Sequence, residues 1–350
     1  MSILIVGGAG YIGSQTAKAV ATAGLEPVVF DNLVYGHEWA VKWGPLVRGD
    51  LADRALLVDV MKRHQVDAVI HFAAYAYVGE SVTNPRKYFG NNVAGSLNLL
   101  DAMLDAGVRD VVFSSTCATY GEPQRVPIAE DHPQNPVNPY GETKLAVEKM
   151  LHWYSRAYEI RYAALRYFNA AGAAATGDLG EDHEPESHLI PLVLAAALGR
   201  KPNITILGND YPTKDGTCVR DYIHVEDLAD AHVRALDHLD RGGAGGAFNL
   251  GTGDGYTVRE VIDLARKVAG RAIPEKLGKR RPGDPAVLVA DGRKAKETLG
   301  WIPKHSDLET IVSSAWRWHE KHPAGYGDRP AHGDRQSRGG GQSRGGDGAK

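Results

Sequence analysis

Cysteine is almost missing from this chain: 350 residues hold only Cys117 and Cys218. Two thiols so far apart build neither a disulfide framework nor a zinc motif, and their scarcity fits a reducing, cytoplasmic setting. Long apolar runs are missing too, since none approaches the roughly 20 residues that span a bilayer. The opening "MSILIVGG" has neither the basic stretch nor the cleavage site of an export signal. Nor does one sign of charge prevail, for 40 basic and 43 acidic residues leave a formal net charge of −3. Without a global field, neither nucleic acid nor an anionic membrane is expected as a partner, and small molecules are.

What is present is enough apolar residue, 43% of the chain, to bury a sizeable core in one large domain or two intimate ones. Short β-branched runs alternate with longer amphipathic stretches. The runs are "ILIVG" (3–7), "PVVFD" (27–31), "LVRGD" (46–50), "DAVIHFA" (67–73), "DVVFSS" (110–115) and "YAALRYF" (162–168), each read as a strand buried on both faces. Between them, 53–64 and 93–106 place apolar residues at helical spacing. Repeated β-α units predict an α/β fold, a doubly wound parallel sheet covered by helices. After about residue 170 the rhythm loosens into "AAGAAATGDLGEDHEPESH", a loop suited to the wall of a site. There a smaller substrate lobe is expected to begin. "VEDLADAHVRALDHL" (225–239) and "AFNLGT" (247–252) read as a helix and strand that rejoin the sheet. The expected division is therefore 1–170 plus about 222–255 for a Rossmann-type nucleotide domain, and about 171–221 with 256–322 for a smaller α/β substrate lobe. From 323 to 350 the chain is rich in Gly, Arg and Ser without apolar periodicity, and reads as a disordered tail.

Directly after the first strand stands "GGAGYIG", which satisfies Gly8-x-Gly10-x-x-Gly13 and also Gly7-x-x-Gly10-x-x-Gly13. Between strand and helix, such glycines permit a tight turn and close approach of a pyrophosphate to a helix N-terminus. The second strand ends in Asp31, at the distance where an acid bonds an adenosine ribose and repels a 2′-phosphate, so NAD is expected rather than NADP. The plainer reading of Asp31 is a solvated turn residue before Asn32. Asp50 suits an adenine contact, or equally the cap of a helix starting near Asp53.

In "NPYGETKLAVE" (138–148) Asn138 and Pro139 make a helix start, which puts Tyr140 in the first turn and Lys144 on the same face one turn later. An ammonium about 4 Å from a phenol, at an effective dielectric of about 20, offers about 4 kcal/mol, or roughly three pKa units before desolvation is subtracted. Such a Tyr can act as a general base at neutral pH. By chance alone the same pair would be a core-edge Tyr and a solvated Lys. "SSTCATYG" (114–121) lies at the C-terminal end of a predicted strand, where open α/β sheets place ligands. There Thr116 can hydrogen-bond a substrate oxygen, while Cys117 reads as a small buried residue.

These stretches together resemble the extended short-chain dehydrogenase/reductase family and, within it, the UDP-glucose 4-epimerase branch. The resemblance runs from residue 1 to about 321, carried by "GGAGYIGS", "HFAAYAYVGESV", "NNVAGSLNLL", "FSSTCATYGEP", "NPYGETK", "LRYFNAAGA", "NLGTG" and "RRPGD". The glycine and Tyr-Lys motifs identify only the superfamily, whereas "DYPTKDGTCVRDYIHV" (210–225) is specific to the epimerases. The resemblance implies tightly held NAD, a homodimer, and inversion at carbon 4 of the hexose of a UDP-sugar. It implies that Tyr140 takes the proton of the 4-hydroxyl, that Thr116 bonds the same oxygen, and that Lys144 lowers the Tyr pKa and holds the nicotinamide ribose. It adds Tyr11, Ile12, Leu51, Phe72, Ala73 and Ala74 to the cofactor wall, with Asn92, Ser114 and Tyr167, and sets Phe168 near the nicotinamide. Arg220 and Arg281 would meet the pyrophosphate, with Asn169, His188 and Leu189 nearby and Asp284 on the nucleoside ribose. Surface ion pairing is the alternative for an Arg-Asp cluster.

Three positions depart from the better-known pattern. Ala76 stands where many relatives carry a Lys, so one cofactor contact is absent or replaced. His188 replaces an Asn. Leu288 stands where a Tyr or a small residue tunes room for an N-acetyl group, which counts against UDP-N-acetylhexosamines, and epimerases of UDP-pentoses share "SSTCATYGEP". His183 and His188 lack a convincing third ligand, so no metal is expected. Among rivals, nucleotide-sugar 4,6-dehydratases carry a Thr-Asp-Glu run, but Cys117 and Ala118 follow Thr116 here. A non-catalytic dinucleotide-sensing regulator would not need both Tyr140 and Lys144.

Overall fold

The computed structural model describes residues 1–281 and 283–327. Six strands run in the order predicted: β1 (Ser2–Val6), β2 (Glu26–Asp31), β3 (Leu46–Arg48), β4 (Val66–His71), β5 (Asp110–Thr116) and β6 (Arg161–Tyr167). With a seventh, Gly246–Leu250, beside β6, they form one sheet in the order β3-β2-β1-β4-β5-β6 and the seventh strand. Every pairing in it is parallel. The chain winds outward from β1 in one direction and from β4 in the other, so the switch point lies just beyond the C-terminal end of β1, where doubly wound sheets bind ligands.

Strand alternation builds two cores from one sheet. Ile3, Ile5, Val29, Ile70, Val112 and Leu165 point to the face covered by α1 (Tyr11–Thr22) and the helix Val225–Asp240, through Ala17, Val20, Leu228 and Ala235. Leu4, Val6, Val28, Phe30, Val69 and Val111 point the other way, against α2 (Arg54–Arg63) and the helices Gly95–Ala106 and Pro139–Tyr158. Each fully buried Leu, Ile or Val contributes about 1.5–3 kcal/mol relative to exposure, so both faces are strongly specified. A third core joins the helices Leu189–Ala197, Val258–Ala269 and Leu308–Lys321, where the smaller lobe is expected. In it Val219–Arg220 lies between Tyr256–Thr257 and Val287–Leu288, while Asn169–Ala171 pairs with Tyr222–His224.

Several details differ from expectation. β3 stops at Arg48 and is half-buried to exposed rather than buried on both faces, because it is the sheet edge. The helix expected from 93 begins at Gly95, and the residues before it, Phe89–Ala94, wind as π-helix with Asn92 turned inward. The expected tail is ordered at its start: Tyr326 donates its phenol to the Gly180 carbonyl at 3.1 Å and packs 4.8 Å from the Trp318 ring. The rest of that expected tail, 328–350, lies outside the described residues. Among the described residues no helix is long and apolar enough to cross a membrane.

Candidate active site

The turn after β1 has no room for side chains. Gly7 sits at φ +80°, and a Cβ there would lie 2.5 Å from the Ala73 amide nitrogen; one at Gly13 would lie 2.2 Å from the Gly7 carbonyl oxygen. Gly10 starts α1 without a side-chain cap, which leaves the first-turn amides for an acceptor from outside the helix. Beyond them opens a cavity of about 910 Å³, at the upper end for small-molecule sites. Gly7, Gly10, Tyr11, Ile12, Gly13, Asp31, Asn32 and Leu51 line it on the β1–β2 side. Phe72, Ala73, Ala74, Ser114, Tyr167 and Phe168 line it from the middle of the sheet, and Thr116, Tyr140 and Lys144 close its far wall. A bare turn at a helix start, continued by a long cavity with an acid on its rim, fits a dinucleotide.

Asp31 is buried and accepts from the Ala9 amide at 2.9 Å and the Leu33 amide at 2.8 Å, while its desolvation raises its pKa. Its carboxylate thus braces the glycine turn as well as facing the cavity. Asp50 accepts from Asn32 Nδ2 and the Ala52 amide, both at 2.9 Å, and does not line the cavity. The cap of α2 is Asp53. Asn92 is held inside too, by bonds to both backbone atoms of Tyr75 and to Thr143 Oγ1; it positions the strand-β4 loop from behind the wall.

The helix Pro139–Tyr158 begins as its sequence dictates, with Asn138 Oδ1 accepting from the Gly141 amide at 2.9 Å and Pro139 in the first turn. Burial pushes the Tyr140 phenol up to about 12, and Thr116, its neighbour on the same cavity wall, pulls the other way. Lys144, one turn further along the same helix, is held by the end of β5. Its ammonium donates to the Ser114 carbonyl at 2.8 Å and lies 4.9 Å from the Phe113 ring centre. Burial lowers its pKa to about 7, against the opposing pull of Glu148. Desolvation thus opposes the charged form of both groups.

Supports invisible to motif reading surround this pair. Glu148, one turn beyond Lys144, takes a two-pronged bond from Arg166 (Nε to Oε1 at 2.9 Å, Nη2 to Oε2 at 2.5 Å) and a third from Ser115 Oγ at 2.5 Å. All three residues are buried, and together they hold the helix against β5 and β6. Tyr167 OH and Ser114 Oγ lie 2.5 Å apart. The one local clue was the i, i+4 spacing of Lys144 and Glu148.

The substrate-side residues meet at the other end. A smaller cavity of about 210 Å³ holds Leu189 and Arg220 and shares Asn169, His188, Arg281 and Asp284 with the large one. Arg220 is buried and donates to Asp284 Oδ1 at 2.5 Å, an ion pair inside the site rather than on the surface. Arg281 is exposed. Ala76 and Leu288 both line the large cavity. His183 and His188 converge with Glu181 and Glu186, carboxylates the sequence reading did not connect to them. Those acids hold both imidazoles above their ordinary pKa, to about 10 for His183, against the opposing desolvation.

Residues 3–251 match the model of the NAD dependent epimerase/dehydratase family. A UDP-glucose 4-epimerase of Lacticaseibacillus casei is 51% identical over 332 residues, 94% of this chain and all of that one. The crystal structure of UDP-glucose 4-epimerase from Brucella ovis in complex with NAD superposes with a TM-score of 0.88 at 54% identity, covering 90% of this chain and 97% of that one. A UDP-glucose-4-epimerase from Stenotrophomonas maltophila, with bound NAD and formylated UDP-arabinopyranose, has a TM-score of 0.90 at 40% identity, covering 92% and 99%.

Proposed function

The chain belongs to the NAD dependent epimerase/dehydratase family, and we propose that it is an NAD-dependent isomerase interconverting UDP-glucose and UDP-galactose. The reaction oxidises carbon 4 to a ketone, turns the sugar over, and reduces it on the opposite face. The observation that carries this reading is that Thr116, Tyr140 and a buried Lys144 share one wall of the cavity that opens at the glycine turn.

Bound NAD would supply a hydride acceptor and a positive charge that favours ionisation of Tyr140. Tyr140 takes the proton from the sugar 4-hydroxyl and returns it after the sugar has turned. Thr116 hydrogen-bonds the same sugar oxygen. Lys144, fixed by the Ser114 carbonyl, presents its remaining N–H groups to the ribose side of the cavity. Gly7, Gly10 and Gly13 keep the pyrophosphate close to the α1 amides. At the far end Arg220 and Arg281 grip the UDP phosphates, since a guanidinium fork matches phosphate oxygens, and Asp284 meets the nucleoside ribose. A strong hold on the UDP that leaves the sugar free to turn lets one face of the hexose replace the other. Leu288, an aliphatic side chain on the cavity wall, disfavours an N-acetyl substituent.

The working form proposed is a cytoplasmic homodimer. Two free thiols fit the reducing compartment. Exposed Phe89, Leu97, Trp153 and Tyr158 lie on or beside the helices Gly95–Ala106 and Pro139–Tyr158, an apolar surface suited to a second copy.

Incubation of the purified protein with UDP-galactose, without added cofactor, tests the activity. UDP-glucose is the expected product. A dehydrated sugar would make the protein a lyase, and unchanged substrate would leave it a binder.

A further inference from the structure

We propose that Glu181, His183, Glu186 and His188 form a binding site for one divalent transition-metal ion, with Zn²⁺ the best match to its donors. Their ligand atoms all lie within 4.8 Å of one another. His183 Nδ1 is 3.2 Å from Glu181 Oε1 and 3.7 Å from Glu186 Oε2. His188 Nδ1 is 2.5 Å from Glu181 Oε1 and 3.5 Å from Glu186 Oε1. A tetrahedral zinc site with bonds of about 2.0–2.1 Å separates neighbouring ligand atoms by roughly 3.4 Å; the His183 distances bracket that value, while the His188–Glu181 hydrogen bond would open by about 1 Å as the ion replaces its proton.

Orientation points the same way. His183 Nδ1 is buried yet has no hydrogen-bond partner, although a Glu181 oxygen is only 3.2 Å away. The nitrogen faces between the carboxylates rather than along a line to one of them. Glu186 Oε1 accepts from the backbone amides of Ser187 at 2.6 Å and His188 at 2.7 Å, which anchors that carboxylate and leaves Oε2 turned to the cluster. Outer hydrogen bonds of this kind orient ligands before an ion arrives. Two imidazoles and two carboxylates make a nitrogen and oxygen set without thiolate, suited to zinc and poorly suited to calcium or magnesium. Two carboxylates also neutralise a divalent ion.

The place in the fold gives the ion a role. Glu181 and His183 belong to the long loop, whereas His188 caps the helix Leu189–Ala197 and lines both cavities. A shared ion cross-ties loop to helix and stiffens the wall on which the UDP-sugar rests. This consequence depends on the function proposed above, but metal binding does not.

The test uses the untagged full-length holoenzyme, stripped of metal with a chelator and titrated with Zn²⁺ against a chromophoric competitor. One equivalent per chain, bound more tightly than about 1 µM, is the expected result. Co²⁺ should then give the intense visible absorption of a tetrahedral site. His183→Ala and Glu186→Gln should each weaken Zn²⁺ binding at least about 10-fold, with circular dichroism confirming that both fold. Wild-type protein that leaves all Zn²⁺ with the competitor, or variants that bind like wild type, would overturn the site and make the cluster an ion-pair network alone. Epimerase assays with and without Zn²⁺ run separately, so a failed metal site and a failed epimerase assignment remain distinguishable.

Discussion

Lys144 Nζ bonds the carbonyl of Ser114 at 2.8 Å, tying the helix Pro139–Tyr158 to the end of β5. That bond fixes the amine in place while burial lowers its pKa to about 7. Position and charge therefore have separate consequences in the proposed mechanism, and substitutions can separate them.

Tyr140→Phe removes the proposed proton acceptor and keeps the ring. The rate should fall at least about 100-fold, the low end for loss of a general base, while the protein still purifies with bound NAD. Undiminished turnover would show that another group takes the proton.

Lys144→Met should lose activity and yet gain stability. The folded pKa near 7 lies below the unfolded value of about 10.5, so keeping the amine buried opposes folding most strongly below pH 7. That opposition declines as pH rises and vanishes above the unfolded pKa. Thermal melts of nucleotide-free protein should therefore favour Lys144→Met by on the order of a few kcal/mol at pH 6, with the gap closing toward pH 10. A gap that widens with pH would contradict the depressed value.

Gly13→Ala puts a methyl 2.2 Å from the Gly7 carbonyl oxygen. Either the turn or α1 must shift, and NAD content of the purified protein, read by its absorbance after release, should drop well below one per chain. Full occupancy would mean the turn tolerates the displacement.

Arg220→Ala removes the proposed phosphate grip and the hydrogen bond to Asp284. The Michaelis constant for UDP-galactose and the dissociation constant of UDP should both rise about 10-fold or more, since truncating one member of a buried pair costs several kcal/mol. A fall in kcat with unchanged UDP affinity would assign Arg220 to the chemical step.

Leu288→Ala enlarges the wall beside the sugar. Activity on UDP-N-acetylgalactosamine relative to UDP-galactose should increase at least about 10-fold, because a few methylenes of pocket volume are worth 1–3 kcal/mol. An unchanged ratio in a substrate panel would show that another contact limits the sugar.

What the sequence determined by itself is local. Alternation in "SILIV" directs Ile3 and Ile5 to one face of the sheet and Leu4 and Val6 to the other, since successive strand residues point in opposite directions. Asn138 and Pro139 start a helix through their own side chains and backbone limits, and that start puts Tyr140 and Lys144 on one face. The glycines after β1 were readable because each answers a steric demand of the turn.

Only the tertiary structure decided the partners of those residues. Ser114 receives Lys144 from 30 residues away, and Arg166 meets Glu148 because β6 lies under the helix. Asp284 meets Arg220 across 64 residues of chain. The Phe89–Ala94 winding, the exposed β3 edge and the ordered Tyr326 likewise depend on neighbours remote in sequence. The phenol's ionisation belongs here as well: spacing predicts the attraction of a nearby amine, but the desolvation opposing it depends on how much protein closes over both groups.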